Sequence, residues 1–63
     1  VACRIRVLRA EKKMSQKKLS ELSGVSRTTI SNIENGTAKN VMFSTLKSIA
    51  DALGTTVDNL FSP

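Results

Sequence analysis

The chain has 63 residues, one cysteine (Cys3), no histidine and only two aromatic side chains, Phe43 and Phe61. A disulfide framework is excluded, one thiol without histidine cannot supply a zinc-binding Cys/His set, and a domain this small must rely on an efficient apolar core, a partner, or both. The net charge of +5 is one-sided: residues 1–36 carry Arg4, Arg6, Arg9, Lys12, Lys13, Lys17, Lys18 and Arg27 against Glu11, Glu21 and Glu34, whereas in 37–63 Lys39 and Lys47 balance Asp51 and Asp58.

A basic half beside a neutral half fits an anionic partner, either nucleic acid or an acidic membrane surface. A solubilising surface fits the charge sum equally well. No apolar run approaches the roughly 20 residues of a membrane span, and the N-terminus lacks the apolar segment of a signal peptide. The lone thiol agrees with a reducing, cytoplasmic setting. We read residues 1–63 as one domain; the start at Val1 and the stop at Pro63 fit a piece of a longer regulator.

Few glycines, one proline and apolar spacings of three and four predict an all-α fold of five short helices. The first covers about 2–12, with Val1, Ile5, Leu8 and the stem of Lys12 on one face. Ser15 is a good N-cap for a second helix from Gln16 to about Ser23, which turns Leu19 and Leu22 inward. Gly24 stops it, because glycine accepts the left-handed conformation of a helix exit. Ser26 caps a third helix from Arg27 to about Glu34 by accepting the Thr29 amide, with Ile30 and Ile33 inward and Gly36 as the stop. Residues 35–42 read as a loop. The fourth helix starts at Phe43 or Ser44 and carries Leu46, Ile49, Ala50 and Leu53 as a full apolar stripe. Gly54 closes it, and Thr56 caps a last short helix bearing Val57, Leu60 and Phe61.

Two features of residues 16–36 stand together. Only Gly24-Val25-Ser26 joins the second and third helices, so they must cross steeply, with Val25 at the junction. This is helix-turn-helix geometry, which leaves the later helix standing proud of the body. The outward face of that helix, Thr28, Ser31, Asn32 and Asn35, is polar but almost uncharged. Short hydroxyls and amides suit base edges in a major groove: Asn can pair with adenine N6/N7, and Thr can touch a thymine methyl. Arg27, at the helix start, can reach guanine O6/N7 or a phosphate. Ser/Thr/Asn filler on a small domain is the plain alternative.

The run Gln16-Lys17-Lys18-Leu19-Ser20-Glu21-Leu22-Ser23-Gly24-Val25-Ser26, followed by Ile30-Ser31-Asn32-Ile33-Glu34-Asn35-Gly36, resembles the phage repressor/Cro-type (Xre-like) helix-turn-helix signature. Ala50-Asp51-Ala52-Leu53-Gly54 and Val57-Asp58-Asn59-Leu60 resemble its fourth and fifth helices, so the likeness spans essentially the whole chain. The resemblance implies a compact five-helix, lambda-repressor-like domain. It further implies that Gln16 clamps the DNA backbone and buttresses the recognition helix, with Ser15 a further phosphate contact. It places Arg27, Thr28 and Asn32 at base-reading positions, with Ser31 in addition, and Ser26 and Thr29 near phosphate. Asn35 would anchor the backbone after the recognition helix, where the main chain around Lys39 and Asn40 also approaches phosphate. Arg9 matches the family's arginine that pairs with the glutamate matched by Glu34. The residues themselves support that pair: Arg9 lies beside the Ile5/Leu8 face and Glu34 beside Ile33, where a partly buried charge needs a partner.

The sequence departs from the pattern at four places. Lys13 replaces a helix-ending glycine, so a left-handed lysine or another exit is expected. Ser20 replaces an alanine at the helix crossing, where its hydroxyl would need an acceptor such as the carbonyl four residues back. Met42 stands at an N-cap position, and Val41 where proline is common.

Several side chains keep two readings. Lys17 and Lys18 are phosphate contacts or solvated surface. Val57, Leu60 and Phe61 cap the core, or one of them covers a dimer partner; Val57 and Phe61 are the candidate dimer contacts. Cys3 reads as an inert small side chain. The function these residues imply is sequence-specific binding of double-stranded DNA by a homodimer that regulates transcription, most often as a repressor. The alternative is an antitoxin or other protein-interaction module on the same scaffold. No catalytic residue, metal site, cofactor, small-molecule ligand or membrane partner is implied: histidine is absent, and Cys3 has no base to pair with.

Overall fold

The computed structural model describes residues 4–38 and 41–61. Val1, Cys3, Lys39 and Asn40 lie outside the described residues. Five helices and no strand occur among those described: α1 (Ile5–Glu11), α2 (Gln16–Ser23), α3 (Arg27–Asn35), α4 (Phe43–Leu53) and α5 (Val57–Leu60).

Local capping chemistry sets most of the boundaries. Ser15 Oγ accepts from the Lys18 amide, Ser26 Oγ from the Thr29 amide and Thr56 Oγ1 from the Asn59 amide, each satisfying an amide donor that the first turn leaves without an intrahelical partner. Helix α4 starts without such a bond at Met42. Helix α1 runs to Glu11, within a residue of the end its apolar spacing implies. Its exit runs through Lys13 at φ 53, a left-handed lysine, with the Met14 amide bonded back to the Arg9 carbonyl at 2.9 Å.

The core is a single cluster of Ile5, Leu8, Leu19, Ile30, Ile33, Ile49, Ala50, Leu53 and Leu60, drawn from all five helices. Leu46, Val25, Val57 and Phe61 are half-buried and pack against it. Helix α2 packs on both α3 and α4, and α4 on α5. The two ends of this bundle are joined, for the Arg4 amide donates to the Leu60 carbonyl at 2.7 Å and the Arg4 guanidinium reaches Asn59 Oδ1 at 3.3 Å.

Two expectations fail here. Leu22 is 52% exposed; it lies one turn beyond Leu19, at the edge of the strip that α3 and α4 cover, so only Leu19 is enclosed. Ser20 makes no bond to the Gln16 carbonyl: it is half-buried, and no buried side-chain polar atom among the described residues lacks a partner, so its hydroxyl needs no protein acceptor. Lys12 is exposed, and its Nζ reaches across to the exit glycine of α4, Gly54.

Candidate nucleic-acid interface

Helices α2 and α3 are separated by Gly24, Val25 and Ser26. Gly24 takes φ 73, which an L side chain adopts only with strain, and Val25 tucks its side chain against the core. The Val25 amide is bonded to Ser23 Oγ at 3.2 Å, so the turn is held from within. Ile30 and Ile33 anchor the inner face of α3. Helical spacing then sends Arg27, Thr28, Ser31, Asn32 and Asn35 outward.

Gln16, Arg27, Thr28, Ser31 and Asn32 line one open depression on the surface. Arg27, Thr28 and Asn32 are exposed, and Gln16 and Ser31 half-buried. No carboxylate among the described residues borders it, and Arg27 supplies a cation at the helix start, where the peptide dipoles also favour anions. Another depression, between α4 and α5, is lined by Phe43, Ala50 and Val57 together with Lys47, Thr55 and Asp58 among others; the Asp58 carboxylate disfavours phosphate there. Lys17 and Lys18 are exposed on α2.

Behind α3 sits a buried ion pair. The Glu34 side chain is 1% exposed and that of Arg9 15%. Arg9 Nε donates to Glu34 Oε2 at 2.9 Å, and Arg9 Nη2 to Oε1 at 3.0 Å. Its Nη1 donates to the Met14 carbonyl at 2.9 Å. Gln16 Nε2 adds a weaker bond to Glu34 Oε1 at 3.4 Å. One carboxylate thus joins α1, the start of α2 and the end of α3, and a charge so deeply buried requires this many donors.

The outer groups of α3 are themselves bonded. Asn35 Oδ1 accepts from Arg6 Nη2 at 3.2 Å, and its amide donates to Ser31 Oγ at 3.4 Å. Ser26 Oγ donates to Thr29 Oγ1 at 2.8 Å. Thr37 Oγ1 donates to Asn32 Oδ1 at 3.2 Å. Sequence reasoning missed Arg6 and Thr37. Arg6 was accessible to it, since it precedes Arg9 by three residues and shares its side of α1. Thr37 follows the exit glycine Gly36, but its return onto the helix depends on the path of the loop.

Five helices with a three-residue turn before an outward polar helix define a helix-turn-helix DNA-binding domain. The sequence matches the profile of the Cro/C1-type HTH DNA-binding domain over residues 4–63, and the chain belongs to that family. Its structure is similar to the restriction-modification controller protein C.AhdI from Aeromonas hydrophila, with a TM-score of 0.83 and 36% identity over 92% of this chain and 86% of that one. It is also similar to a chain of the SinR protein/SinI protein complex, with a TM-score of 0.85 and 30% identity. That match covers 94% of this chain but 57% of the other, so this chain spans little more than half of its length. A comparison with curated proteins returned no match. The chain is a DNA-binding domain of the kind that regulates transcription. No described helix is long and apolar enough to cross a membrane.

Proposed function

We propose that the chain acts in the cytoplasm as a homodimeric repressor on a near-palindromic operator. Each protomer lays α3 in a major groove. Arg27, Thr28, Ser31 and Asn32 read base edges, while Ser15, Gln16, Lys17, Ser26, Thr29 and Asn35, with Lys39 and Asn40 beyond the described residues, hold the phosphate backbone. The observation that carries this reading is the depression lined by Gln16, Arg27, Thr28, Ser31 and Asn32, where groups suited to backbone and to bases converge on one carboxylate-free surface. Phe43 is 68% exposed and lines the α4–α5 depression with Val57, which supports Val57 at the side where a second copy meets the first; Phe61, half-buried against the core, is the other candidate contact.

Selection from a pool of random duplexes tests the proposal. An inverted repeat with half-site centres about 10 bp apart is expected. Enrichment of a single unrepeated half-site would remove the homodimer, and no enrichment would remove the sequence reading. A protein-interaction module is the second reading, favoured by the similarity to a chain from a protein–protein complex and by the 68% exposure of Met42 beside Phe43. It predicts equal, salt-sensitive binding to all duplexes.

A further inference from the structure

Helix α3 has nine residues, which at about 1.5 Å per residue makes it about 13 Å long. A major groove is about 12 Å wide, so a helix of that length seated in one brings both ends within side-chain reach of a phosphate strand. The two ends differ electrically. The start carries the positive end of the peptide dipoles together with Arg27, whereas the end at Asn35 carries the negative one and disfavours a phosphate. Fastening that end to DNA takes a cation. Arg6 supplies one from α1: its Nη2 donates to Oδ1 of Asn35, the last residue of α3, at 3.2 Å. Its Nε lies 3.7 Å from Glu34 Oε1, beyond a good hydrogen bond. The Arg6 side chain is 67% exposed, and one bond to Asn35 leaves most of the guanidinium donors for a further acceptor. Its charge is surplus as well. Arg9 already holds the Glu34 carboxylate through two bonds of 2.9 and 3.0 Å, so two arginines and one glutamate leave this end of the helix net positive.

We propose that Arg6 is a further DNA-binding residue: from α1, its guanidinium grips a backbone phosphate at the C-terminal end of α3, so that the recognition helix is fastened at both ends. The inference rests on α3 lying in a major groove, as proposed above. A phosphate contact carries no base information; it fixes the register in which α3 settles.

The experiment titrates the wild type, Arg6→Gln and Arg6→Lys against an enriched duplex and a scrambled one over a range of salt concentrations. Arg6→Gln is expected to weaken binding to both duplexes alike, by on the order of tenfold at about 0.1 M salt, and to lower the log–log salt slope by about 0.9. Arg6→Lys keeps the charge and should keep the wild-type slope. Arg6→Ala replaces the glutamine variant if that one fails to fold. Ethylation of single phosphates then locates the contact: at one phosphate in each half-site, ethylation is expected to weaken the wild type and to leave Arg6→Gln unaffected. A role limited to propping Glu34 would lower the urea midpoint of Arg6→Gln and leave its salt slope at the wild-type value, and that result overturns the proposal. The absence of such a phosphate, or a loss confined to one base-pair preference, also overturns it, while leaving DNA binding by α3 intact. No binding by the wild type to either duplex fails the proposed function itself, and this inference with it.

Discussion

Arg9 grips Glu34 through two parallel bonds of 2.9 and 3.0 Å, across 25 residues of chain. The carboxylate is fully desolvated, so its partner cannot be removed without leaving a buried charge. Glu34→Ala strands Arg9, which is only 15% exposed, and is expected to lower stability by about 3–5 kcal/mol. Urea unfolding monitored by circular dichroism measures it. Equal midpoints for variant and wild type would mean that the pair contributes nothing. Because a buried pair can be replaced by packed apolar groups at little net cost, the double variant Arg9→Met/Glu34→Leu is expected to recover most of the loss.

Leu19 and Leu22 lie one turn apart on α2 with opposite environments, 0% and 52% exposed. Leu19→Ala removes a fully enclosed side chain and is expected to cost about 2–5 kcal/mol. Leu22→Gln is expected to stay within about 0.5 kcal/mol of the wild type. Denaturant midpoints distinguish them, and similar losses for both would place Leu22 in a contact absent from the monomer.

Lys13 holds a left-handed backbone, φ 53, at the exit of α1. A side chain in that region costs about 1–2 kcal/mol that glycine avoids, partly offset by the greater freedom of glycine in the unfolded chain. Lys13→Gly is therefore expected to stabilise the domain by about 0.5–1 kcal/mol and to raise its melting temperature. A lowered melting temperature would show that the lysine side chain contributes more than its backbone costs.

Arg27 and Lys17 separate reading from holding. Arg27→Ala is expected to relax one base-pair preference at a cost of about 1–3 kcal/mol. Lys17→Ala is expected to weaken binding to every duplex alike and to lower the slope of log affinity against log salt by about 0.9. Titrations of specific and scrambled duplexes at several salt concentrations measure both. A uniform loss for Arg27→Ala would move that residue to the backbone.

The parts of the fold that depend on neighbours in sequence were legible before any coordinates. Ser15, Ser26 and Thr56 cap helices, and Gly24, Gly36 and Gly54 end them, because capping is settled within four residues. The inward stripe of α4 was legible for the same reason. Leu22 was not: a spacing of three from Leu19 marks a side of α2, but how far the covering helices extend along it is a tertiary fact. The polar stripe of α3 could be read from spacing alone. The bonds that orient its amides, from Arg6 to Asn35 and from Thr37 to Asn32, depend on how α1 and the loop after Gly36 come to rest against it.

The clasp between Arg4 and the last helix gives the bundle an assembly order. Arg4 and Asn59 are 55 residues apart in sequence, so their contact must await the placement of α4 and α5, whereas α2 and α3 meet across a three-residue turn. Contacts close in sequence form ahead of those that need a long loop closed. By the same rule the Arg9–Glu34 pair, 25 residues apart, closes ahead of the Arg4–Asn59 clasp. Helix α3 is then seated before the two ends of the chain are joined. Pulsed hydrogen exchange should find the Arg4 amide protected later than the amides of α3; simultaneous protection would mean that the five helices come together in one step.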